Sequence, residues 1–180
     1  MPLSPQEAAQ ALQSIERTES RSATLRGYRG AAPHLILWGL LWAVGYGLTE
    51  AMPARGGVIW AVIVVVGIAA GLLAMFRKGS RPAAWRFAAV TATLVVFCAA
   101  TFAIMAPIDG RQVAAFIPLV IAATYVTGGI WFGARYVVAG IVVAVLTLGG
   151  FFLLREHFML WMAVVGGGAL LTAGWWLTRA

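Results

Sequence analysis

Apolar runs long enough to cross a bilayer divide the chain, and charges, prolines and glycines fall between them. There are six, covering about residues 33–51, 57–76, 85–106, 112–131, 136–154 and 157–178. At 1.5 Å of rise per residue, about 20 helical residues cross a hydrocarbon core of about 30 Å. Pro107-Ile108-Asp109-Gly110 closes the third run with a turn signal. Between the fourth and fifth runs, Phe132-Gly133-Ala134 is short enough to force a tight antiparallel hairpin. The pattern predicts an all-α membrane protein, a bundle of about six transmembrane helices preceded by a cytoplasmic juxtamembrane helix. It divides into residues 1–30, an amphipathic and basic N-terminal helix, and residues 31–180, the bundle.

The N-terminal helix starts at Ser4-Pro5-Gln6-Glu7, with serine as cap, proline in the first turn and glutamate completing a capping box. Ala8, Leu12, Ile15, Ser22 and Leu25 recur at helical spacing as a thin apolar stripe. Arg17, Arg21, Arg26 and Arg29 make the segment basic as it nears the first span. Such a helix either lies on the membrane surface or docks a cytoplasmic partner or a second copy of the chain.

Composition agrees with the pattern. Of the 180 residues 62% are hydrophobic and 11% charged, where a soluble domain carries about 25% charged residues. The first apolar run begins after an acid-containing stretch holding Glu7, Glu16 and Glu19, unlike a cleavable signal, so the first span is expected to stay in the mature protein. Charge sets the orientation. With the N-terminus inside, Arg17, Arg21, Arg26, Arg29, Arg77, Lys78, Arg81, Arg86, Arg135 and Arg179 are cytoplasmic, ten bases against three in the outer hairpins, Arg55, Arg111 and Arg155. Glu50, Asp109 and Glu156 neutralise those three, so the whole net charge of +7 lies on the cytoplasmic face. Arg26, Arg29, Arg77, Lys78, Arg81 and Arg86 are therefore expected to contact anionic lipid headgroups. No nucleic-acid-reading module fits the remaining segments. Trp60, Trp85, Trp131, Tyr136, Trp161, Trp175 and Trp176 near span ends read as interfacial anchors.

Candidate chemistry is sparse. Every ionisable Asp, Glu, Lys, Arg and His falls at a span end or in a connection, which argues against coupled transport on buried carboxylates and against an intramembrane protease. His34 and His157 open spans at opposite faces, about 30 Å apart, and cannot share a metal or haem. Cys98 is the single cysteine, so neither a disulfide nor a cysteine metal cluster forms within the chain. No metal or cofactor is expected. Mild polarity remains: Thr91, Cys98 and Thr101 share a face of span three, and Thr124, Tyr125 and Thr127 lie together in span four. Pro118, deep in span four, should kink it and free a backbone carbonyl. These residues either form a polar seam or ligand pocket, or each threonine bonds a carbonyl of its own helix. Gly67 with Gly71 and Gly129 with Gly133 form GxxxG matches, and Gly39 with Ala43 a related small pair, all suited to close helix packing.

The stretch from Tyr28 to Gly39, with Pro33, His34 and Trp38, continuing to Trp42 and Gly45-Tyr46, resembles the start of the first span in a family of small bacterial multi-span inner-membrane proteins. The resemblance covers about the first 50 residues and implies a bacterial source. In size and span count the chain is also similar to the substrate-binding S-components of energy-coupling-factor vitamin transporters, whose first span docks a partner through small-xxx-small faces. Gly39 and Ala43 fit that pattern, whereas the long vitamin-gripping loops are missing. The expected protein is a non-enzymatic, multi-pass inner-membrane sensor, regulator or accessory subunit with both termini cytoplasmic. It would act by association through residues 4–26, with a protein partner or as a homo-oligomer. The alternative is a passive channel or small-solute transporter along the threonine-lined faces.

Overall fold

The computed structural model describes residues 5–77, 81–106 and 109–179, and among them it is helical with no strand. Helix α1 runs from Pro5 to Ala51, α2 from Gly56 to Arg77, α3 from Arg81 to Met105, α4 from Gly110 to Phe132 and α5 from Ala134 to Leu153. The last span consists of α6, Phe158–Trp161, a π-helical turn, Met162–Gly166, and α7, Gly167–Thr178. Six segments have the length and composition to cross a membrane, Gly27–Ala51, Pro53–Arg77, Trp85–Met105, Gly110–Phe132, Ala134–Leu153 and Phe158–Thr178. The chain is an integral membrane protein of the expected all-α class.

Local sequence explains the breaks. Pro53 cannot continue α1 and opens a 3-10 turn, Pro53–Arg55, that leads into α2. Asp109 caps α4: its carboxylate accepts the Arg111 N–H at 2.9 Å, while Gln112 Oε1 accepts the Asp109 N–H at 3.4 Å, a reciprocal capping box. Between α4 and α5 stands one residue, Gly133, at φ 119°. An L side chain rarely adopts that conformation, so glycine is what allows so tight a hairpin.

One boundary differs from the sequence expectation. Residues 5–51 form one continuous helix of 47 residues, with no break separating the N-terminal segment from span one. Pro33 lies inside it; a proline removes one N–H bond, and here the helix continues on both sides.

The core is built from stripes spaced alternately four and three residues apart. In α1 Tyr28, Ala32, Leu35, Gly39, Trp42, Tyr46 and Thr49 are buried. In α4 the buried positions are Ala115, Pro118, Ala122 and Gly129, in α5 Gly140, Val143, Thr147 and Gly150, and in the last span Ala163, Gly167, Leu170, Gly174 and Leu177. This spacing keeps one helical stripe facing a neighbour. Helix α2 buries Ile63, Gly67 and Gly71. No residue of the α3 span is buried.

Close approach sets the pairing. A methyl added at Gly39 would lie 2.9 Å from the Leu171 backbone nitrogen, and one at Gly167 would lie 3.0 Å from the Gly39 carbonyl oxygen. At Gly140 it would lie 2.6 Å from the Ala122 carbonyl oxygen, and at Gly129 2.6 Å from the Val137 nitrogen. Helices α1 and α7, and likewise α4 and α5, therefore touch backbone to backbone, the packing mode that small residues permit in lipid.

Candidate functional site

Two constellations join α1 to the rest of the bundle. The first lies at the basic end, where α1 leaves the bundle near Gly27. Tyr28 is buried there, its ring 5.4 Å from that of Tyr136, which stacks in turn on Tyr125 at 6.2 Å. The Tyr136 hydroxyl donates to the Gly27 carbonyl at 3.2 Å, and the Arg135 N–H donates to the Tyr28 hydroxyl at 3.4 Å. Arg135 Nη1 donates to the Trp176 carbonyl at 2.9 Å, with the guanidinium 4.8 Å from the Trp176 ring and 5.5 Å from that of Tyr28. A cation near the final carbonyls of α7 complements the helix dipole, and each ring contact adds about 0.5–1 kcal/mol at exposed sites. A single guanidinium thus ties α5 to α1 and α7. The ion pair Asp109–Arg111, at 2.7 Å, sits at the opposite end. There the hydrogen bonds from the Arg111 backbone and side chain hold the Asp109 carboxyl below its usual range.

The second constellation is interior. Proline at position 118 has no N–H, so the carbonyl four residues earlier, at Ala114, loses its helical partner. The Tyr46 hydroxyl donates to that carbonyl at 2.7 Å. Tyr46 is fully buried, its ring 4.7 Å from Trp60 and 5.9 Å from Trp42. The freed carbonyl expected from Pro118 is therefore real, and α1 supplies its donor.

Three of the four candidate threonines bond a carbonyl of their own helix. Thr101 Oγ1 donates to the Phe97 carbonyl at 2.9 Å, Thr124 to Ile121 at 2.7 Å, and Thr127 to Ala123 at 2.8 Å. Thr124 and Thr127 are exposed, on the side of α4 away from its buried stripe, while Tyr125 belongs to the aromatic cluster at Tyr136. Thr91, Cys98 and Thr101 do share a half-exposed face of α3. The structure does not bring the two sets together in one polar seam.

The small residues are consumed inside the chain. Gly39 and Ala43 meet Gly167 and Leu171, Gly67 receives the Trp38 ring, Gly71 faces Phe87 and His34, and Gly129 meets Val137. Gly140, Gly150 and Gly174 do equal work without a GxxxG signature, Gly150 making room for the Trp161 indole. Trp161 is accordingly a helix contact and no mere anchor, since its Nε1 donates to the Leu146 carbonyl at 2.9 Å. Trp85, Trp131 and Trp175 stay largely exposed.

Of the predicted lipid-facing bases, Arg29, Arg77 and Arg86 are exposed. Lys78 lies outside the described residues, as do the side chains of Arg26 and Arg81 and those of Ala8, Leu12 and Ile15 on the N-terminal stripe. Ser22 and Leu25 are half-buried, and Leu25 packs against the core. His34 sits edge-on to Phe87 at 5.4 Å between ring centroids, whereas exposed His157 precedes α6 at the other end.

Sequence reasoning missed Tyr46, Tyr28 and Arg135 as connecting residues. The position of Pro118 points to Ala114, but nothing in the sequence names the donor. No family model, curated protein or solved structure matches this chain.

Proposed function

We propose that this is a non-enzymatic membrane protein that works by association, an accessory or regulatory subunit whose N-terminal segment receives a cytoplasmic partner. The observation that carries the reading is the continuity of α1. Its first 22 residues before Gly27 are in register with the span that contacts α2, α4, α5 and α7, so force or contact on the outer segment acts directly on the bundle's central helix. The Tyr28–Arg135–Trp176 clasp grips that helix where it leaves the bundle. The ten-to-three distribution of bases supports an orientation with both termini in the cytoplasm, and the setting in this reading is a bacterial inner membrane.

Cross-linked purification of the full chain against a chain lacking residues 1–26 tests the reading. A defined partner is recovered with the full chain and lost with the deletion. Recovery of the same proteins from both, or of none, overturns it. A reporter fused after Ala180 that responds only outside the cell would overturn the orientation.

A further inference from the structure

The face that α3 turns toward the bundle is patterned for burial and is not buried. Phe87, Thr91, Leu94, Cys98 and Thr101 follow the same alternation of four and three residues that is buried in α1, α4 and α5, yet each remains half-exposed. The physical cause lies in residue size. Helix α3 contains no glycine, and aromatic rings meet its neighbours instead. At the basic end Phe87 rests on Gly71 and on His34. Farther along, Phe97 and Phe102 lie 6.3 and 5.4 Å from Phe116 of α4. Between these ring supports, Leu94 and Cys98 stay half-exposed. Side chains without protein neighbours forfeit dispersion contacts, and in a bilayer the group at hand to supply them is an acyl chain.

Charge specifies which lipid. Between Glu50 and Asp109 the chain has no carboxylate, while Arg77, Lys78, Arg81 and Arg86 crowd the α2–α3 connection. Arg77 and Arg86 are exposed. Basic residues at a membrane surface attract anionic headgroups additively.

We propose that one anionic phospholipid lies against this half-exposed face, its phosphate held at Arg77 and Arg86 and an acyl chain lying along Leu94 and Cys98. The site does not depend on the association role of residues 5–26, so partner recovery and lipid binding can fail separately.

Full-length protein is extracted from phosphatidylcholine vesicles containing a minor fraction of phosphatidylglycerol, and its retained lipid is counted by native mass spectrometry. The expected result is one retained phosphatidylglycerol, enriched over phosphatidylcholine about tenfold or more relative to the vesicle, since two bases act together. The pair Arg77→Gln and Arg86→Gln should bring the two lipids to parity. Leu94→Trp, which puts an indole where the acyl chain lies, should release the lipid. Retention of both lipids by the wild-type protein in the proportion of the vesicle overturns the proposal. So does dimeric protein free of lipid, which would assign the α3 face to a second copy of the chain.

Discussion

The hairpin of α2 with α3 is on average more apolar than the four-span group of α1, α4, α5 and the last span, yet it is the less buried of the two. The four-span group interlocks through glycines whose absent side chains admit a neighbour's backbone, as at Gly39 with Gly167 and Gly140 with Ala122. Helix α3 has a similarly spaced stripe and no glycine, and it stands on phenylalanine rings with no residue buried. In water an apolar stripe would be driven inward regardless. In lipid the tails are as apolar as leucine, and close approach or a polar link must supply the attraction. Periodicity alone therefore marks a face that can pack, and residue size decides whether it does.

The largest effect should come from breaking one of these glycine contacts. Gly140→Ala puts a methyl 2.6 Å from the Ala122 carbonyl oxygen and should cost about 1–3 kcal/mol in detergent-titrated unfolding. Gly149→Ala, on the same helix with nothing within 4 Å of the new methyl, should be neutral or gain up to about 1 kcal/mol. Equal losses at both would remove the packing explanation.

Next in size is the Tyr46 link. Tyr46→Phe leaves the Ala114 carbonyl without its donor and should lower stability by about 0.5–2 kcal/mol. In a Pro118→Ala background the helix regains the N–H that this carbonyl lacks, so the same change should cost clearly less. A double-mutant cycle with no coupling would show that the hydroxyl and the proline act separately.

A smaller effect belongs to the cap of α4. The folded pKa of Asp109 lies below its ordinary value of 3.8, so its contribution is complete above that value and disappears as pH falls through the lower folded value. Thermal unfolding of the wild type should weaken below about pH 4, and Asp109→Asn should flatten that acid limb. The smallest change is expected on α3. Ala100→Leu adds bulk to an exposed position and should alter stability by less than about 0.5 kcal/mol; a large loss would mean that this face is packed.

Much of the architecture was legible because each span is punctuated by charges or by proline and glycine. The run read as residues 112–131 is Gly110–Phe132, and that read as 136–154 is Ala134–Leu153. The continuity of the N-terminal helix with span one was not legible. Gly27, Gly30 and Pro33 look like punctuation, but isolated glycines cost a helix only about 1 kcal/mol each and a single proline removes one bond. The π-helical turn at Met162–Gly166 was also hidden, since glycine-rich sequence suggests weak helix without fixing its register. Site prediction chose residues by polarity and so favoured threonines, of which Thr101, Thr124 and Thr127 find partners within one turn. The connection that crosses between helices pairs a tyrosine with a backbone carbonyl; Pro118 marks the acceptor, but nothing in the sequence singles out Tyr46 as the donor.

The length of α1 also has a mechanical meaning. Its 22 residues before Gly27 extend about 33 Å at helical rise. A tilt of about 10° in the embedded part would sweep the far tip through about 6 Å, roughly the pitch of a helical turn. The helix is thus a lever with two arms of similar length, 25 residues held in the bundle and the shorter stretch outside it, so a small rotation of the held arm reappears as a displacement of ångströms at the free tip.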